Sequence, residues 1–381
     1  MQTESETEIE IGKLEHDVDR FYSLIRTECT EIAGMLYRHL GQNGARINAS
    51  QRRLTALSRD VAGLRPRLGM IEARLMRDAA QQAEAEGGRP VLPQRWYDLR
   101  VRANRLQSDM NLWHEVGALI SRQIPPKATP LYYAYDGRPE PLVTQAHVSD
   151  ALFTSLHKLL NPLQQSEESQ QLGCFEDIGL ANSVFLEHAH VAYRVFLAQR
   201  HRHPARFLDV GCGVGLKVVS ALEFFPSADG LEYDAGYART SKALFKAMGL
   251  AQCGSIHGDA VSFDKYADYD VIYFYRPMRN EEGLKKMENQ IVEHARPGTI
   301  LIAPYLSFAA RHQSLNCGQI GGSVFIAGLS QKETDELARA AEFIGPHVKR
   351  RETRVPSIWE PVLAASHANG HGIPRATRIT V

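Results

Sequence analysis

Apolar residues recur at alternating steps of three and four along the first third of the chain, and mostly charged residues fill the positions between them. This spacing places the apolar side chains on one face of a helix. The first series is Ile11, Leu14, Val18, Phe21, Ile25, Cys29, Ile32 and Leu36. An extra step of four before Cys29 resembles a coiled-coil stutter. Residues 41–44 are expected to end this helix because they contain two glycines.

Two further series of the same kind follow. The second is Leu54, Leu57, Val61, Leu64, Leu68, Ile71 and Leu75. The third is Trp96, Leu99, Ala103, Leu106, Met110, Trp113 and Ile120. Pro66 lies inside the second series and is expected to kink its helix or to split it at Arg65.

Residues 1–124 are therefore predicted to form an α-helical region, for which two arrangements remain open. The helices fold on one another as an antiparallel bundle, or they pair with another copy of the chain as a coiled coil. Each series is only a few heptads long, and Gly63 and Pro66 interrupt one of them. Self-association through these helices is expected.

The second half of the chain alternates short apolar runs with helical patterns. Strands are predicted at 207–210, 230–233, 255–257, 270–275, 299–303, 347–355 and 360–365, with 322–327 also extended. Helices are predicted at 182–200, 216–225, 238–248, 284–294 and 331–343. Such alternation indicates right-handed crossovers and a parallel sheet covered on both faces.

These patterns divide the chain into four predicted parts. A linker at 125–178 follows the helical region, and it contains a helix at 149–160 and a polar, exposed or mobile stretch at 164–171. The α/β domain covers 179–366, and a loose tail covers 367–381.

The composition narrows the classes of function. The 44 basic residues balance 44 acidic ones, whereas a nucleic-acid-binding protein usually has a basic excess, so nucleic acid is disfavoured as a partner. Five cysteines without C-x-x-C spacing argue against a disulfide framework and against a zinc site. No apolar run approaches the ~18 residues of a membrane span, and the acidic start is unlike a signal peptide. A cytoplasmic protein with no metal and no membrane partner is expected.

Candidate chemistry begins at residues 207–215, which read F-L-D-V-G-C-G-V-G. An apolar strand runs into Gly211, Gly213 and Gly215, and a helical pattern follows at once. Glycines at such a turn permit positive φ angles and let a ligand approach the backbone. Cys212, between two of the glycines, is interpreted as a small filler and not as a nucleophile.

Carboxylates stand at the ends of three successive predicted strands. Asp209 precedes the glycine turn, Glu232 ends the second strand, and Asp259 follows the third. Each alone is explained equally well as a solvated strand end. Together they describe a slot for an adenosine compound, since ligands bind at the carboxyl ends of parallel strands. A carboxylate beside the turn disfavours a pyrophosphate and favours a ligand with an ammonium group, as S-adenosylmethionine has.

The glycine turn, Glu232, the Gly258-Asp259-Ala260 sequence and the Pro297-Gly298 turn resemble the class I S-adenosylmethionine-dependent methyltransferases over residues 180–366. The resemblance implies a Rossmann-like α/β fold, a seven-stranded methyltransferase sheet whose last hairpin is antiparallel, which suits the late strands 347–355 and 360–365. It also implies roles for single residues. Asp209 and the turn Gly211, Cys212, Gly213 and Gly215 would hold the methionine part of the cofactor. Glu232, with Tyr233 beside it, would hold the ribose, and Asp259 with Ala260 the adenine.

The residues that would contact the methyl acceptor are less clearly indicated by the sequence. The fourth strand ends in Tyr273-Phe274-Tyr275-Arg276-Pro277, where Tyr275 is a candidate to orient or deprotonate an acceptor and Arg276 to bind an anion. Strand-end packing and a surface arginine explain these residues as well. His188, on the helix before the glycine strand, is a candidate general base, although a half-buried structural histidine is commoner there.

The expected function is therefore methyl transfer from S-adenosylmethionine to an O or N atom of a small-molecule or glycan-like substrate. Two alternatives remain open. One is a protein methyltransferase that docks its target through the N-terminal helices, and the other is a scaffold that binds the cofactor without catalysis.

Overall fold

The computed structural model describes residues 6–38, 43–132, 140–161, 165–175, 179–346 and 357–373. The chain forms two compact units, one made of Met1–Lys127 and Thr353–Val381 and the other of Ala128–Glu352. The α/β unit thus begins well before the predicted boundary at 179 and ends before the predicted boundary at 366. Residues after 353 belong with the N-terminal helices instead.

The first unit is helical. Its helices are α1 (Glu6–Arg38), α2 (Gly44–Ala62), α3 (Leu64–Glu86), α4 (Gln94–Asn111) and α5 (Trp113–Ser121), with a C-terminal helix over Glu360–Ala368. Every apolar position of the first predicted series is buried on α1. The buried stripes of all three series form one core inside this unit, as the bundle arrangement predicts. Self-association stays a prediction.

The break in the second series is at Gly63, not at the predicted Arg65. The N–H of Gly63 still bonds to the carbonyl oxygens of Arg59 and Asp60, and α3 starts one residue later. Pro66 therefore lies in the first turn of α3. A proline is tolerated there because the first N–H groups of a helix lack intrahelical partners.

The predicted strand at 360–365 is wrong, because this segment is helical. Val362 and Ala365, three residues apart, are buried in the core of the helical unit. Trp359 is fully buried, donates its indole N–H to the carbonyl oxygen of Asp109 at 2.6 Å, and stacks on Trp113 at 5.4 Å between ring centroids. The other late strand, predicted at 347–355, lies outside the described residues.

The second unit alternates helices and strands. Its helices are α6 (Glu140–Leu160), α7 (Glu167–Gln171), α8 (Asn182–Ala198), α9 (Leu216–Ala221), α10 (Ala235–Ala247), α11 (Glu281–His294), α12 (Leu306–Arg311) and α13 (Gln331–Glu342), which makes the C-terminal helix of the first unit α14. Its strands are β1 (Arg206–Val210), β2 (Ser227–Glu232), β3 (Cys253–His257), β4 (Val271–Phe274), β5 (Ile300–Ile302), β6 (Cys317–Gly321) and β7 (Val324–Ala327).

The seven strands form one sheet in the order β3-β2-β1-β4-β5-β7-β6. The first five strands pair in parallel, and β7 is antiparallel to both of its neighbours. The predicted fold class, a Rossmann-like seven-stranded sheet with an antiparallel end preceded by a helical region, is confirmed. The hairpin, however, comes from residues 317–327, since β6 was not predicted and only its partner was read as extended.

The register brings four strand ends to one edge of the sheet. Val210 pairs with Leu231 on one side and with Phe274 on the other, and Glu232 pairs with His257. The apolar residues on the two faces of the sheet form separate cores under the flanking helices. In the described parts of both units, no helix combines the length and apolar character that crossing a bilayer requires.

Candidate functional site

A cavity of about 270 Å³ lies at the carboxyl ends of β1 to β4. Ten of the twelve predicted site residues line it: Asp209, Gly211, Cys212, Gly213, Glu232, Tyr233, Asp259, Ala260, Tyr275 and Arg276. Gly215 and His188 do not. The strand-end pattern therefore places most of the predicted residues around one space.

The glycine turn has the conformation that its sequence predicts. Gly211, Gly213 and Gly215 have φ angles of 77°, 52° and 83°, a region that residues with a side chain rarely adopt. A Cβ on Gly211 would lie 2.6 Å from the Cβ of Pro277. The first glycine thus allows the turn to approach the loop that follows β4.

Gly215 has a packing role in this structure. It is the N-cap of α9, and a Cβ there would lie 2.7 Å from the ring of Phe245 and 2.9 Å from Ser241. The third glycine lets α9 and α10 approach each other, and it does not contribute to the described wall of the cavity. Its predicted contact with the cofactor stays a prediction.

Glu232 links the second strand to the glycine turn. Its two carboxylate oxygens accept hydrogen bonds of 2.8 Å, one from the backbone N–H of Gly213 and one from that of Asp234. Glu232 is only 9% exposed, and Asp209 on the neighbouring strand is 2% exposed. Glu232 also contributes to the wall of the cavity.

Asp259 and Ala260 form the third group. Asp259 is exposed and accepts a hydrogen bond of 2.9 Å from the N–H of Val261 through Oδ1. This short turn holds the carboxylate at the mouth of the cavity. The backbone N–H of Ala260 makes no hydrogen bond to any described residue, so a donor lies beside an acceptor, as the edge of an adenine ring requires.

A segment that includes a stretch predicted to be exposed or mobile covers this site. Residues 165–175, called the cover segment from here on, include residues 165–171 of the stretch 164–171 that is predicted to be exposed or mobile, and residue 164 lies outside the described residues. Residues 166–168, 170 and 171 are exposed, as predicted. Ser169 is 1% exposed and Gln165 6% exposed, so the prediction is wrong for these two residues. Leu172, Cys174 and Phe175 contribute to the cavity wall.

Asp234 fixes one end of the cover segment. Its Oδ1 caps α10 by accepting from the N–H groups of Gly236 and Tyr237. Its Oδ2 accepts from the N–H of Ser166 at 2.9 Å and from the hydroxyl of Ser169 at 3.0 Å. Burial alone would raise the pKa of Asp234, but the hydrogen bonds from Ser166, Tyr237 and Ser169 outweigh it and lower the pKa to about 2. In the sequence, the only signal at Asp234 is its place as the N-cap of the helix that follows, and nothing there indicates its contacts with the cover segment.

The other end of the cover segment pairs with the loop after β4. Cys174 and Met278 form an antiparallel bridge. The N–H of Phe175 donates to Pro277 at 3.1 Å, and the N–H of Arg279 donates to Gly173 at 2.7 Å. The cover segment is therefore held both by the β2 side and by the β4 side of the cavity.

Lys217 is the cationic residue nearest to the glycine turn in the sequence, and its ammonium group already interacts with other groups of the protein. Its Nζ donates to the carbonyl oxygen of Leu180 at 2.7 Å and to Asn182 at 3.3 Å, and it lies 3.7 Å from the centroid of the Phe153 ring. At the ends of β1 to β3, the other charged side chains among the described lining residues are the carboxylates of Asp209, Glu232 and Asp259. This half of the cavity favours a cationic or hydroxyl-bearing ligand over a phosphate.

His188 lies outside this site. It is 8% exposed, and its Nδ1 is 3.1 Å from the hydroxyl of Tyr132. Burial lowers the pKa of His188, although the neighbouring Glu187 opposes the shift. The predicted role as a general base is not supported by this position, because a base must reach the proton that it removes.

Tyr275 does line the cavity, directly after β4. Its hydroxyl makes no hydrogen bond to any described residue, and the side chain is half-buried. Arg276 follows it with a φ of 44° and also lines the cavity. In the described residues, no cluster of three or more histidine, cysteine or acidic side chains is arranged to hold a metal ion.

No protein-family model and no curated protein sequence matches this chain. Among solved structures, it is similar to an amino pentose methyltransferase of calicheamicin biosynthesis from Micromonospora echinaspora, at 24% identity and a TM-score of 0.27 over 32% of this chain and 50% of that one. It is also similar to an RNA methyltransferase from Salinibacter ruber, at 20% identity and a TM-score of 0.27 over 33% and 76%. A third is a sugar N-methyltransferase from a Streptoalloteichus species, at 17% identity and a TM-score of 0.26 over 35% and 56%.

The chain thus spans half the length of the first of these proteins, and TM-scores this low carry no argument about its activity. The conclusion about the fold comes from the molecule itself. The strand order, the antiparallel β7 and the cavity at the ends of β1 to β4 give the second unit the fold of the class I S-adenosylmethionine-dependent methyltransferases.

Proposed function

We propose that this protein is an S-adenosylmethionine-dependent methyltransferase that acts on an O or N atom of a small-molecule or glycan-like acceptor. One observation carries the proposal. Three carboxylates, Asp209, Glu232 and Asp259, converge with a positive-φ glycine turn on one cavity at a sheet edge.

The polar groups at the ends of β1, β2 and β3 fit, in that order, the ammonium group, the ribose and the adenine of the cofactor. Asp209 is a buried carboxylate beside the glycine turn and offers a counter-charge to an ammonium group. Glu232, in the wall of the cavity, offers a carboxylate to the ribose hydroxyls. Asp259 and the N–H of Ala260 offer an acceptor and a donor to the adenine ring. A dinucleotide fits less well, because a pyrophosphate would lie beside the carboxylate of Asp209.

The cofactor supplies an electrophilic methyl group. When bound, it would let the acceptor's lone pair bond to the methyl carbon while the methyl–sulfur bond breaks with its electrons left on sulfur, and the acceptor's proton would pass to solvent. The chain's own contribution is alignment, since a reaction of this kind gains mainly from correct placement. The cover segment forms part of the cavity wall, and we expect the hydroxyl of Tyr275 to orient the acceptor.

The enclosed cavity favours a small acceptor over a protein side chain. Its wall includes Phe175 and Met278 beside Tyr275, and two backbone hydrogen bonds, which flank the Cys174–Met278 bridge, tie the cover segment to the loop after β4. A folded protein would have to displace these contacts to bring a side chain to the cavity.

Calorimetric titration tests the cofactor. We expect micromolar binding of S-adenosylmethionine and S-adenosylhomocysteine and no binding of NAD. Asp209→Asn is expected to weaken binding of S-adenosylmethionine at least ten-fold. Glu336→Gln, at an exposed position on α13, is the matched control and should bind like the unmodified protein. Binding of NAD, or no binding of either adenosyl compound, would overturn the proposal.

Tyr275→Phe separates binding from reaction. The variant should bind S-adenosylhomocysteine within two-fold of the unmodified protein and transfer methyl groups ten-fold or more slowly to any acceptor found by screening. An unchanged rate would remove Tyr275 from the reacting end.

A further inference from the structure

The charge of the cavity wall changes sign along the sheet edge. Asp209 and Glu232 lie in the last two residues of β1 and β2, and Asp259 lies just after β3, whereas Arg276 lies just after β4. Methyl transfer needs the acceptor to approach from one end of the cofactor. If the acids hold the cofactor, the β4 end is left for the acceptor.

Arg276 is held in an unusual backbone conformation. Its φ of 44° lies in the left-handed region, which is unfavourable for a residue with a side chain. The next residue, Pro277, is fixed because its carbonyl oxygen accepts the N–H of Phe175 at 3.1 Å. The surrounding contacts therefore maintain a strained residue whose side chain reaches the cavity wall.

Two guanidinium groups lie near one aromatic ring at this end. The Cζ of Arg276 is 5.6 Å from the centroid of Phe175, and the Cζ of Arg279 is 5.2 Å from the same centroid. Each contact is a cation–π interaction. They also bring two positive charges into one small region, which is unfavourable without a nearby anion.

The acidic groups of the protein compensate these charges weakly. Arg276 lies 3.8 Å from Glu281, with the two side chains 46% and 52% exposed, and such surface pairs contribute little. Glu281 is shared with Arg311 at 3.4 Å. Arg279 makes no ion pair with any described residue. The region therefore retains positive charge for an anion from outside.

Apart from Asn280, the rest of the wall here is mostly aromatic or apolar. Phe175, Tyr275 and Met278 line it, with Leu172 from the cover segment beside them. Such a surface suits the flat face of a ring. An aromatic surface beside a guanidinium group suits an acceptor that has both a ring and an anionic group.

We propose that the β4 end of the cavity is an acceptor subsite for an aromatic compound carrying a carboxylate or a phosphate. The ring packs against Phe175, Arg276 pairs with the anionic group, and Arg279 adds to the positive potential. The hydroxyl of Tyr275 lies at the same strand end. This inference rests on the proposed function, because the cofactor defines which end receives the acceptor.

The test uses ring compounds of matched size. The full-length protein is saturated with S-adenosylhomocysteine and titrated calorimetrically with benzoate, phenyl phosphate and benzyl alcohol. At least one of the two anions is expected to bind ten-fold or more tightly than benzyl alcohol. Which anion binds better identifies carboxylate or phosphate, and inorganic phosphate shows whether the ring contributes.

The variants assign the preference to Arg276. Arg276→Ala should remove the preference for the anion, and Arg276→Lys should retain part of it, because lysine keeps the charge and loses the planar fork. Arg339→Ala, at an exposed position on α13, should keep the full preference. Arg279→Gln is a second variant, expected to reduce the preference about three-fold, and it serves if Arg276→Ala does not fold.

Each outcome decides a different point. Equal binding of the anions and benzyl alcohol, or an unchanged preference in Arg276→Ala, overturns the subsite while leaving the cofactor site intact. Binding of inorganic phosphate as tight as that of phenyl phosphate overturns the aromatic part. If S-adenosylhomocysteine does not bind at all, the proposed function fails. The same titrations on the protein alone then show whether Arg276 selects anions, and no selection there overturns the subsite as well.

Discussion

The carboxylate of Glu232, at the end of β2, accepts the backbone N–H of Gly213 at 2.8 Å. The carboxylate and the glycine turn are therefore directly connected in the structure, although 19 residues separate them in the chain. The other oxygen of Glu232 accepts the N–H of Asp234 at 2.8 Å, which orders the start of α10. A residue that is predicted to bind the ribose therefore also holds the glycine turn that is predicted to bind the methionine part.

Replacing Glu232 by glutamine tests this double role. The amide has one acceptor oxygen, so one backbone N–H would face an NH₂ group and lose its hydrogen bond, at a cost of about 1–3 kcal/mol. We expect Glu232→Gln to lower the free energy of unfolding by about that amount and to weaken S-adenosylhomocysteine binding at least ten-fold. Urea unfolding and calorimetry measure the two effects. A loss of affinity with unchanged stability would mean that Glu232 acts only as a ligand.

Gly215 and Gly249 form a matched pair for separating backbone strain from packing. Their φ angles are 83° and 64°, but a Cβ on Gly215 meets Phe245 at 2.7 Å, whereas one on Gly249 meets nothing within 4 Å. Gly249→Ala should cost about 1 kcal/mol of stability from the φ angle. Gly215→Ala should cost a further 1–3 kcal/mol from overpacking.

The same pair tests the role of the third glycine in binding. Because Gly215 is outside the described wall of the cavity, folded Gly215→Ala should bind S-adenosylhomocysteine within about three-fold of the unmodified protein. Chemical unfolding gives the stabilities, and calorimetry on the folded fraction gives the affinity. Equal stability costs for both alanines would contradict the packing role.

Asp234 gives a prediction about pH. Its pKa of about 2 in the folded protein lies below the ordinary value of 3.8. A depressed pKa of this kind stabilises the folded state above pH 4, and the stabilisation is lost as the pH falls toward 2. Asp234→Asn keeps a cap for α10 but loses the carboxylate that holds Ser166 and Ser169, so we expect it to be about 1–2 kcal/mol less stable at pH 7.

Urea unfolding at several pH values measures this difference. The gap between Asp234→Asn and the unmodified protein should be constant from pH 7 to about 5 and should narrow at pH 3. Glu336→Gln is the control and should show no such gap. A gap that is independent of pH would assign the effect to packing and not to the charge of Asp234.

The sequence predicted the parts of the molecule where the pattern is local. The stripe from Ile11 to Leu36 and the turn after β1 are set by the spacing of neighbouring residues, and both were found as predicted. The helix at 360–368 was read as a strand because its apolar residues Val362 and Ala365 sit in a short run without a clear period. Its helical form is accompanied by burial of Trp359 against distant residues, such as Asp109, 250 positions away.

The cover segment shows the same limit at the site. A polar stretch such as 164–171 is ordinarily exposed, and nothing in its composition indicates burial. Its order comes from Asp234, 65 residues from Ser169, and from the pairing of Cys174 with Met278. Contacts between segments so far apart in the chain have no periodic signature. Likewise, Gly215 could be recognised as a turn glycine but not as a packing glycine.

His188 supplies the last prediction, since the sequence offered it as a general base and the structure places it against Tyr132 at 3.1 Å. Burial lowers its pKa from the ordinary value of 6.5. The unfolded chain then binds more protons than the folded one, and stability falls as the pH drops below about 6.5. His188→Gln should weaken this decline between pH 7 and 5 in thermal unfolding. It should also leave S-adenosylhomocysteine binding within two-fold and the pH profile of methyl transfer unchanged. A methyl-transfer profile that loses an ionisation in His188→Gln would restore the histidine to the reaction and would mean that the site extends beyond the cavity described.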